Sequence, residues 1–317
     1  VWSSSDGSTW TQVTSAADWS ARLYHSGLVY NDLMWVIGGY DGSSLFNDVW
    51  SSSDGDTWTQ VTAAAPWSSR YAHTCVVYDN RMWVMGGHDV GQLNDVWSSS
   101  DGESWLQVTS AADWSARLYH SGLVYNDQMW ILGGYYDSST LFNDVWSSSD
   151  GSTWTQVTST VAWGGRSGHT SMVYNNVMWV VGGHDGISRV NDAWKSLSFA
   201  APPAISSVAG SEWQLVTSAA AFSARSGHAS VVYKNRMWVL AGGDNADLAL
   251  HDVWSSRDGD TWTLATSSPG WGVRWVPTLL VHNDLMWVMG GHDGGQLNDV
   301  WSSSDGSTWT QVTSAAD

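Results

Sequence analysis

The amino-acid sequence predicts an all-β fold, a β-propeller of six four-stranded antiparallel blades, and three observations support this prediction. Each repeat contains four short apolar segments separated by turn-forming residues. Of the 30 acidic residues only Glu103 and Glu212 are glutamate, and aspartate favours turns over helices. Paired glycines recur six times, at spacings of 48, 47, 49, 60 and 48 residues: Gly38-Gly39, Gly86-Gly87, Gly133-Gly134, Gly182-Gly183, Gly242-Gly243 and Gly290-Gly291. Units of this size cannot bury both faces of their own sheet, so we expect them to pack radially around an axis.

The first two strands of a unit form a tight hairpin in this prediction. In the unit 19–66, the first strand covers His25 to Tyr30 and ends at Asn31-Asp32, a pair that accepts positive φ in a two-residue turn. The second strand, Leu33 to Ile37, is almost entirely apolar and stops at the glycine pair.

The third and fourth strands form an outer hairpin. After the loop YDGSSLFN, the third strand lies around Asp48 to Ser52, and the fourth runs from Thr57 to Thr62. Between them, SSSDGDTW places Asp54 to accept turn amides and Gly55 to take a positive φ.

These features together resemble the kelch repeat: R-x-x-H, a strand ending in G-G, then N-D-V-W and a turn ahead of a tryptophan. The outer hairpin Ser52-Ser53-Asp54-Gly55-Asp56-Thr57-Trp58 is also similar to the Asp-box of sialidase-type propellers, one residue shorter. The resemblance covers essentially the whole chain. It implies the kelch type of propeller, of the galactose oxidase superfamily, with ligands taken on the face that carries the longer loops.

The repeats divide a single predicted domain, 1–317, into six units and a surplus hairpin. The glycine-pair hairpin occurs six times, but the outer hairpin occurs seven times, because residues 1–18 and 300–317 are identical. Only one copy can complete the sixth blade; kelch rings often close by joining strands from both termini. The alternative is seven blades, one of them incomplete or completed by another chain. The units are 19–66, 67–113, 114–162, 163–221, 222–270 and 271–317.

Composition excludes several classes of partner. With 12 basic and 30 acidic residues the net charge is −18, which should repel nucleic acid and anionic lipid. No apolar run is long enough to predict membrane insertion. Cys75 is the single cysteine, lies in an apolar strand and predicts a buried thiol.

Two rings of side chains are expected to meet on the face with the longer loops. One arginine precedes each first strand, three residues after an aromatic residue, and tyrosine, histidine or, in the fifth unit, Asp244 follows each glycine pair. Such groups suit a sugar or a ligand with a carboxylate. The candidate ligand-binding residues are Arg22, Arg70, Arg117, Arg166, Arg225, Arg274, Trp19, Trp67, Trp114, Trp163, Trp271, Tyr40, His88, Tyr135, His184 and His292.

A structural role for the arginines is the competing hypothesis. Each unit brings an aspartate to the same face, and six arginine–aspartate ties between blades would explain the arginines without a ligand; the aspartates are Asp48, Asp95, Asp144, Asp192, Asp252 and Asp299. The first-strand histidines are interpreted as satisfied strand residues, and no metal or other cofactor is predicted; they are His25, His73, His120, His169 and His228.

We expect a binding site where residues differ between the units, since a scaffold needs identical units and a site needs asymmetry. The last unit reads WGVRWVPTLLVH, with an extra Trp275 and with Pro277 in place of the histidine. The fourth unit carries an eleven-residue insertion within 195–212, on the opposite face, which predicts either a mobile loop or a contact for assembly.

No nucleophile and base lie off the repeat pattern, so we predict no catalytic residues and no enzyme of the galactose oxidase or sialidase kind. The sequence favours an extracellular or cell-surface binding module for a glycan or a protein. The alternative is a structural subunit of an extracellular filament or surface layer, self-associating through residues 1–18 and 300–317.

Overall fold

The computed structural model describes residues 2–3, 11–12, 17–137, 139–197 and 209–313, and within them every regular element is a β-strand. Six four-stranded antiparallel sheets form the blades of a β-propeller, so the predicted fold class is confirmed. No helix in these ranges is long and apolar enough to cross a membrane.

The first three blades follow one another along the chain. Blade 1 contains β3 (Ser26–Tyr30), β4 (Leu33–Tyr40), β5 (Leu45–Ser52) and β6 (Thr59–Thr62). Blade 2 contains β7 (Thr74–Tyr78), β8 (Arg81–His88), β9 (Gln92–Ser99) and β10 (Leu106–Thr109). Blade 3 contains β11 (Ser121–Tyr125), β12 (Gln128–Leu132), β15 (Val145–Ser148) and β16 (Thr155–Thr158), with a small hairpin of β13 (Tyr135–Asp137) and β14 (Thr140–Leu141) in its loop.

The last three blades repeat the same order. Blade 4 contains β17 (Thr170–Tyr174), β18 (Val177–His184), β19 (Arg189–Ser196) and β20 (Trp213–Thr217). Blade 5 contains β21 (Ala229–Tyr233), β22 (Arg236–Leu240), β23 (Val253–Ser256) and β24 (Trp262–Thr266). Blade 6 contains β25 (Thr278–His282), β26 (Leu285–His292), β27 (Gln296–Ser303) and β28 (Thr310–Thr313).

The copy near the C-terminal end of the sequence completes blade 6. All four of its strands come from one continuous segment, so of the two copies that could complete the sixth blade, it is this one that does. The other copy contributes a separate two-stranded hairpin of β1 (Trp2–Ser3) and β2 (Thr11–Gln12), and β1 lies beside β28.

Every first hairpin closes with the predicted tight turn. Asn31 and Asp32 have φ of 51° and 57°, and the corresponding pairs in the other five blades also have positive φ at both residues. Two consecutive positive φ values are what a two-residue turn between twisted strands requires.

In blades 1, 2, 4 and 6 the second and third strands are longer than predicted, because there the glycine pair lies inside the sheet and does not end it. In blade 1, β4 continues to Tyr40, with a register shift between Ile37 and Gly39. Gly38 has φ of 60°, and a Cβ there would lie 3.0 Å from both the Arg70 carbonyl oxygen and His73 Cε1. Glycine is therefore needed for a bulge that lets the next blade approach closely.

The outer turn of each blade docks on the preceding blade. In blade 3, Gly151 N donates to Ser148 Oγ (2.8 Å), and the Ser152 and Thr153 amides donate to Asp150 Oδ1. A Cβ on Gly151 would overlap the ring of Trp83 in blade 2. Blade 4 keeps this contact through Gly210, which packs on Trp130, although residues 198–208 of its insertion lie outside the described residues.

Six apolar clusters fill the spaces between neighbouring blades. The cluster that joins blade 6 to blade 1 contains Trp19, Trp58, Trp287 and Val300, all less than one tenth exposed. The ring therefore closes between complete blades, by this packing and by backbone hydrogen bonds of Arg22 to Leu297 and Gly291.

Candidate functional site

The connections between the second and third strands define one face of the ring, here called the loop face; they are 41–44, 89–91, 133–144, 185–188, 241–252 and 293–295. At its centre, one residue from each unit lies in the left-handed region with φ between 46° and 60°: Tyr24, Ala72, Tyr119, Gly168, Gly227 and Val276. Their backbones follow one another around the axis; Ala72 N donates to the Tyr24 carbonyl, and Tyr119 N donates to the Ala72 carbonyl.

The six repeat arginines lie inside the ring. Their side chains are at most 2% exposed, and each forms a bidentate ion pair with the aspartate of its own unit, with nitrogen–oxygen distances of 2.6 to 2.9 Å for the ion pair. Arg117 shows the arrangement: Nη1 and Nη2 donate to the two carboxylate oxygens of Asp144, and Nη1 also donates to the Gly133 carbonyl.

These pairs correct two expectations. The side-chain ties are within a blade, and only the backbone of the arginine bridges blades, as where the Arg70 carbonyl accepts from Gly39 N. The six guanidinium groups have no exposed surface to offer, so a ligand on the loop face does not contact them. Their charge is balanced locally by the six aspartates.

The aromatic residues three positions earlier are also core residues. Trp19, Trp67, Trp114, Trp163, Trp271 and Phe222 are at most 4% exposed. Each packs edge-to-face on the tryptophan that follows the outer turn, as Trp114 does on Trp154 with centroids 6.0 Å apart. They support the arginines and do not line the surface.

The first-strand histidines surround a small cavity of about 190 Å³ on the axis of the ring. Burial, followed by the nearby Arg22 guanidinium, lowers the pKa of His25 to about 3. The Nε2 atoms of His169 and His228 lie 2.8 and 2.9 Å from the hydroxyls of Ser121 and Thr170. Within the described parts of the chain, no group of three or more histidine, cysteine or acidic side chains is placed to hold a metal ion.

The residues predicted after the glycine pairs do reach the loop face. Five of them are half-buried around the central axis: Tyr40, His88, Tyr135, His184 and His292. In the fifth unit the corresponding position is Gly243 and not Asp244, because Gly243 pairs with Ser226 as Tyr40 pairs with Leu23. The sequence misled there because Ala241 and Gly242 occupy the places of the usual glycine pair.

An off-centre cavity of about 440 Å³ opens at the loop face. Gly168 and Gly227 leave space on one side of the axis where Tyr24 and Tyr119 fill the other. The cavity is lined by Tyr24, Tyr119, Tyr135, Asp137, Leu141, Ser167, Gly168, His184, Gly186, Ser226, Gly227, Trp275 and Val276. Trp275, the departure noted in the last unit, packs against Gly243, where any Cβ would overlap its ring.

Tyr24, Tyr71 and Tyr119 were missed as site residues by reasoning from the repeat. They form an aromatic cluster beside the cavity: Tyr24 is 5.0 Å from Tyr119, and Tyr119 stacks on Tyr135 with centroids 5.7 Å apart. The signal was present between the arginine and the histidine, which reads LY, YA and LY in the first three units but SG in the fourth and fifth.

Arg189 was also missed, and its side chain contacts two residues that line this cavity, Ser226 and Trp275. Its guanidinium lies 4.8 Å from the centre of the Trp275 ring. Its Nε donates to Ser226 Oγ at 3.0 Å, and its Nη2 forms a 2.8 Å ion pair with Asp247. The corresponding residues in other units are uncharged: Leu45, Gln92, Leu141, Ala249 and Gln296.

The loop face is acidic, with exposed apolar tips. Besides Asp144 and Asp252, which pair with repeat arginines, its loops carry Asp41, Asp89, Asp137, Asp185, Asp244, Asp247 and Asp293. The Ser139 hydroxyl and amide lower the pKa of Asp137, so this carboxylate at the cavity is charged at neutral pH. The apolar side chains at the loop tips are Val90, Tyr136, Ile187 and Leu248, with exposures of 100, 46, 92 and 62%.

Comparison with known protein families gives one match. The family model described as the KLHDC2/KLHL20/DRC7 Kelch-repeats domain matches residues 3–134 and 98–272, which together span most of the chain. No individual curated protein matches the chain.

Proposed function

The chain belongs to the KLHDC2/KLHL20/DRC7 family of kelch-repeat domains, and we therefore propose that it is a non-enzymatic module that binds a protein partner with its loop face. Kelch-repeat domains are in general interaction modules. The observation that carries the proposal is that residues that differ between the units, such as Gly168, Gly227 and Trp275, lie around the cavity on this face. Repetition elsewhere is explained by packing between blades.

The apolar tips of the loop face support a protein partner over a glycan. Val90 and Ile187 are almost fully exposed at the ends of their loops. Large apolar side chains surrounding a concave centre are typical of a surface that another protein covers. A free saccharide would leave these tips in water.

The cavity offers a place for one anchoring side chain of such a partner. Its walls combine aromatic rings with hydroxyl, imidazole and carboxylate groups, a mixture typical of binding pockets. Its volume of about 440 Å³ exceeds that of any single side chain, so it can also admit neighbouring backbone.

Filling the cavity tests the proposal. Tyr24 and Tyr119 occupy the position of Gly168 in their own units with φ of 56° and 52°, and Ala72 occupies it with φ of 53°. Gly168 itself has φ of 59°, so both tyrosine and alanine fit its backbone. Gly168→Tyr should fill the cavity, whereas Gly168→Ala, the matched control, should leave it open.

We expect peptides selected from a random library on the wild-type protein to lose at least about tenfold in affinity for Gly168→Tyr. They should bind Gly168→Ala as they bind the wild type, in titrations by fluorescence polarisation. Equal affinity for all three proteins would place recognition elsewhere and contradict the proposal. If a binding screen yields glycans and no peptides, and Gly168→Tyr weakens glycan binding in the same way, the ligand of the cavity is a glycan and not a protein.

A second candidate role is self-association. The supporting observation is that residues 300–313 complete blade 6, so the hairpin of the identical segment 1–18 is surplus to the ring, although Ala17 and Asp18 contact blade 1. Its hairpin lies beside β28, the outer edge strand of that blade, and an unpaired edge can recruit another chain. An extracellular or cell-surface setting remains part of the proposal and is supported by the acidic, aspartate- and serine-rich composition alone.

A further inference from the structure

We propose that the cavity of the loop face accepts a cation, the guanidinium group of an arginine in a basic segment of the partner protein. This inference rests on the proposed binding function and specifies its chemistry. It reverses the expectation of a sugar or carboxylate ligand, which depended on the six repeat arginines.

Because those arginines are buried, the net charge of the loop face is negative and not positive. Each of the six is buried and neutralised by its own aspartate, so none contributes positive charge to the loop face. What remains is seven carboxylates in the described loops and one nearby cation, Arg189 at the start of β19, whose charge is shared with Asp247. An anion would approach this face against repulsion, whereas a cation would be attracted.

The cavity walls offer the surfaces on which a planar cation packs. Tyr24, Tyr119, Tyr135 and Trp275 contribute aromatic rings, and Asp137 adds a carboxylate. The face of an aromatic ring attracts a cation through its quadrupole, and indole is the strongest of the natural rings in this respect. Aromatic walls with a carboxylate at hand therefore favour an arginine or an alkylammonium group.

The molecule already contains one example of this chemistry at the same place. The Arg189 guanidinium lies 4.8 Å from the Trp275 ring centre while it pairs with Asp247. It combines stacking on an indole with a carboxylate partner, which is the arrangement proposed for the incoming side chain. Arginine is preferred over lysine because its flat, weakly hydrated head stacks on aromatic rings.

The test uses an acetylated and amidated Gly-Gly-Arg-Gly-Gly peptide, and the same peptide with citrulline or glutamate in place of arginine. Citrulline keeps the shape of arginine but not its charge. We expect the arginine peptide to bind at least about tenfold more tightly than the citrulline peptide, measured by NMR titration of the full chain. Equal binding of these two, or tighter binding of the glutamate peptide, would overturn the inference.

Three variants of the full chain locate the effect. Trp275→Leu removes the indole, and leucine is the natural residue at this position in the first and third units, Leu23 and Leu118. Asp137→Asn removes the nearby charge, and Asp127→Asn is its matched control on the opposite face, where the fourth unit has Asn176. Arginine-peptide affinity should fall several-fold for Trp275→Leu and about threefold for Asp137→Asn, and should stay near the wild-type value for Asp127→Asn.

Two results would overturn the inference in different ways. If Asp127→Asn weakens binding as much as Asp137→Asn, the attraction is a general effect of net charge and not a site. If library peptides without a basic residue lose affinity for Gly168→Tyr, the cavity binds a partner but not through a cation; the proposed function would then stand while this inference fails.

Discussion

Two kinds of charged or titratable side chain lie buried at repeated positions, and they differ in how they are stabilised. The arginines are paired at their Nη atoms, so their charge is retained; Arg117 is fully buried against Asp144. The first-strand histidines have no carboxylate partner of this kind. Burial first, and then the neighbouring guanidinium, lowers the pKa of His120 and His228 to about 3.

These histidines predict acid sensitivity above the range in which carboxylates protonate. Unfolded histidines take up protons near their usual pKa of 6.5, whereas His25, His120 and His228 in the folded protein do so only near 3. The free energy of unfolding therefore falls as the pH decreases through this window. Below the unfolded pKa, each of these three histidines should contribute a slope of about 1.4 kcal/mol per pH unit. Urea midpoints at pH 7.5, 6.0 and 5.0 measure this, and a midpoint that stays constant over this range would contradict the account.

Sequence reasoning at this scale identified the arginine–aspartate alternative but not its geometry. The recurrence of an arginine at one position of every repeat indicated a shared role. Spacing alone could not tell whether its aspartate partner lies in the same blade or in the next one. Tyr24 and Tyr119 were missed because their role depends on the axis, which brings together residues far apart in the chain.

At the scale of the element, the local turn chemistry was predictable and the docking between elements was not. Asn31-Asp32 and the Asp54 turn follow from side chains and dihedral preferences within a few residues. That the Gly151 turn covers Trp83 of the preceding blade requires knowledge of the blade order. The same holds for β4, which continues through the glycine pair because the next blade packs on it.

The docking of outer turns can be measured with two alanine substitutions. Gly151 and Gly164 both have φ of 73°, but a Cβ on Gly151 would overlap Trp83, while a Cβ on Gly164 would have no heavy atom within 4 Å. Gly164→Ala should cost about 1 kcal/mol of unfolding free energy from backbone strain alone.

Gly151→Ala should cost about 2 kcal/mol more, because it also separates two blades. Urea unfolding of both variants and the wild type gives the comparison. Similar losses for the two variants would mean that the outer turn does not depend on contact with Trp83.

At the scale of the whole molecule, six complete blades close the ring by packing, and the sequence supplied the number of blades through its six glycine pairs. The cluster around Trp19 and Trp287 joins the last blade to the first without exchange of strands. The surplus hairpin is thus not required for closure in the described structure. It is the feature on which self-association would depend.

We predict that removal of residues 1–16 leaves thermal stability nearly unchanged but reduces any concentration-dependent assembly. This truncation keeps Ala17 in the core and keeps the Asp18 carboxylate that accepts from Trp58 N. Light scattering of the full chain and of the truncated chain over a range of concentrations measures this. Assembly retained after truncation would exclude the hairpin as the joint. A monomer in both cases would leave the loop face as the interaction surface of the molecule.

The central claim is that recognition takes place at the cavity of the loop face, while the repeated residues only build the ring. Hydrogen exchange of the protein, alone and saturated with a library-selected peptide, tests it most directly. The claim predicts added protection in the loops 135–141 and 184–189 and around Trp275. Protection confined to the turns of the opposite face, such as that at Asn126-Asp127, with the loop face unchanged, would contradict it.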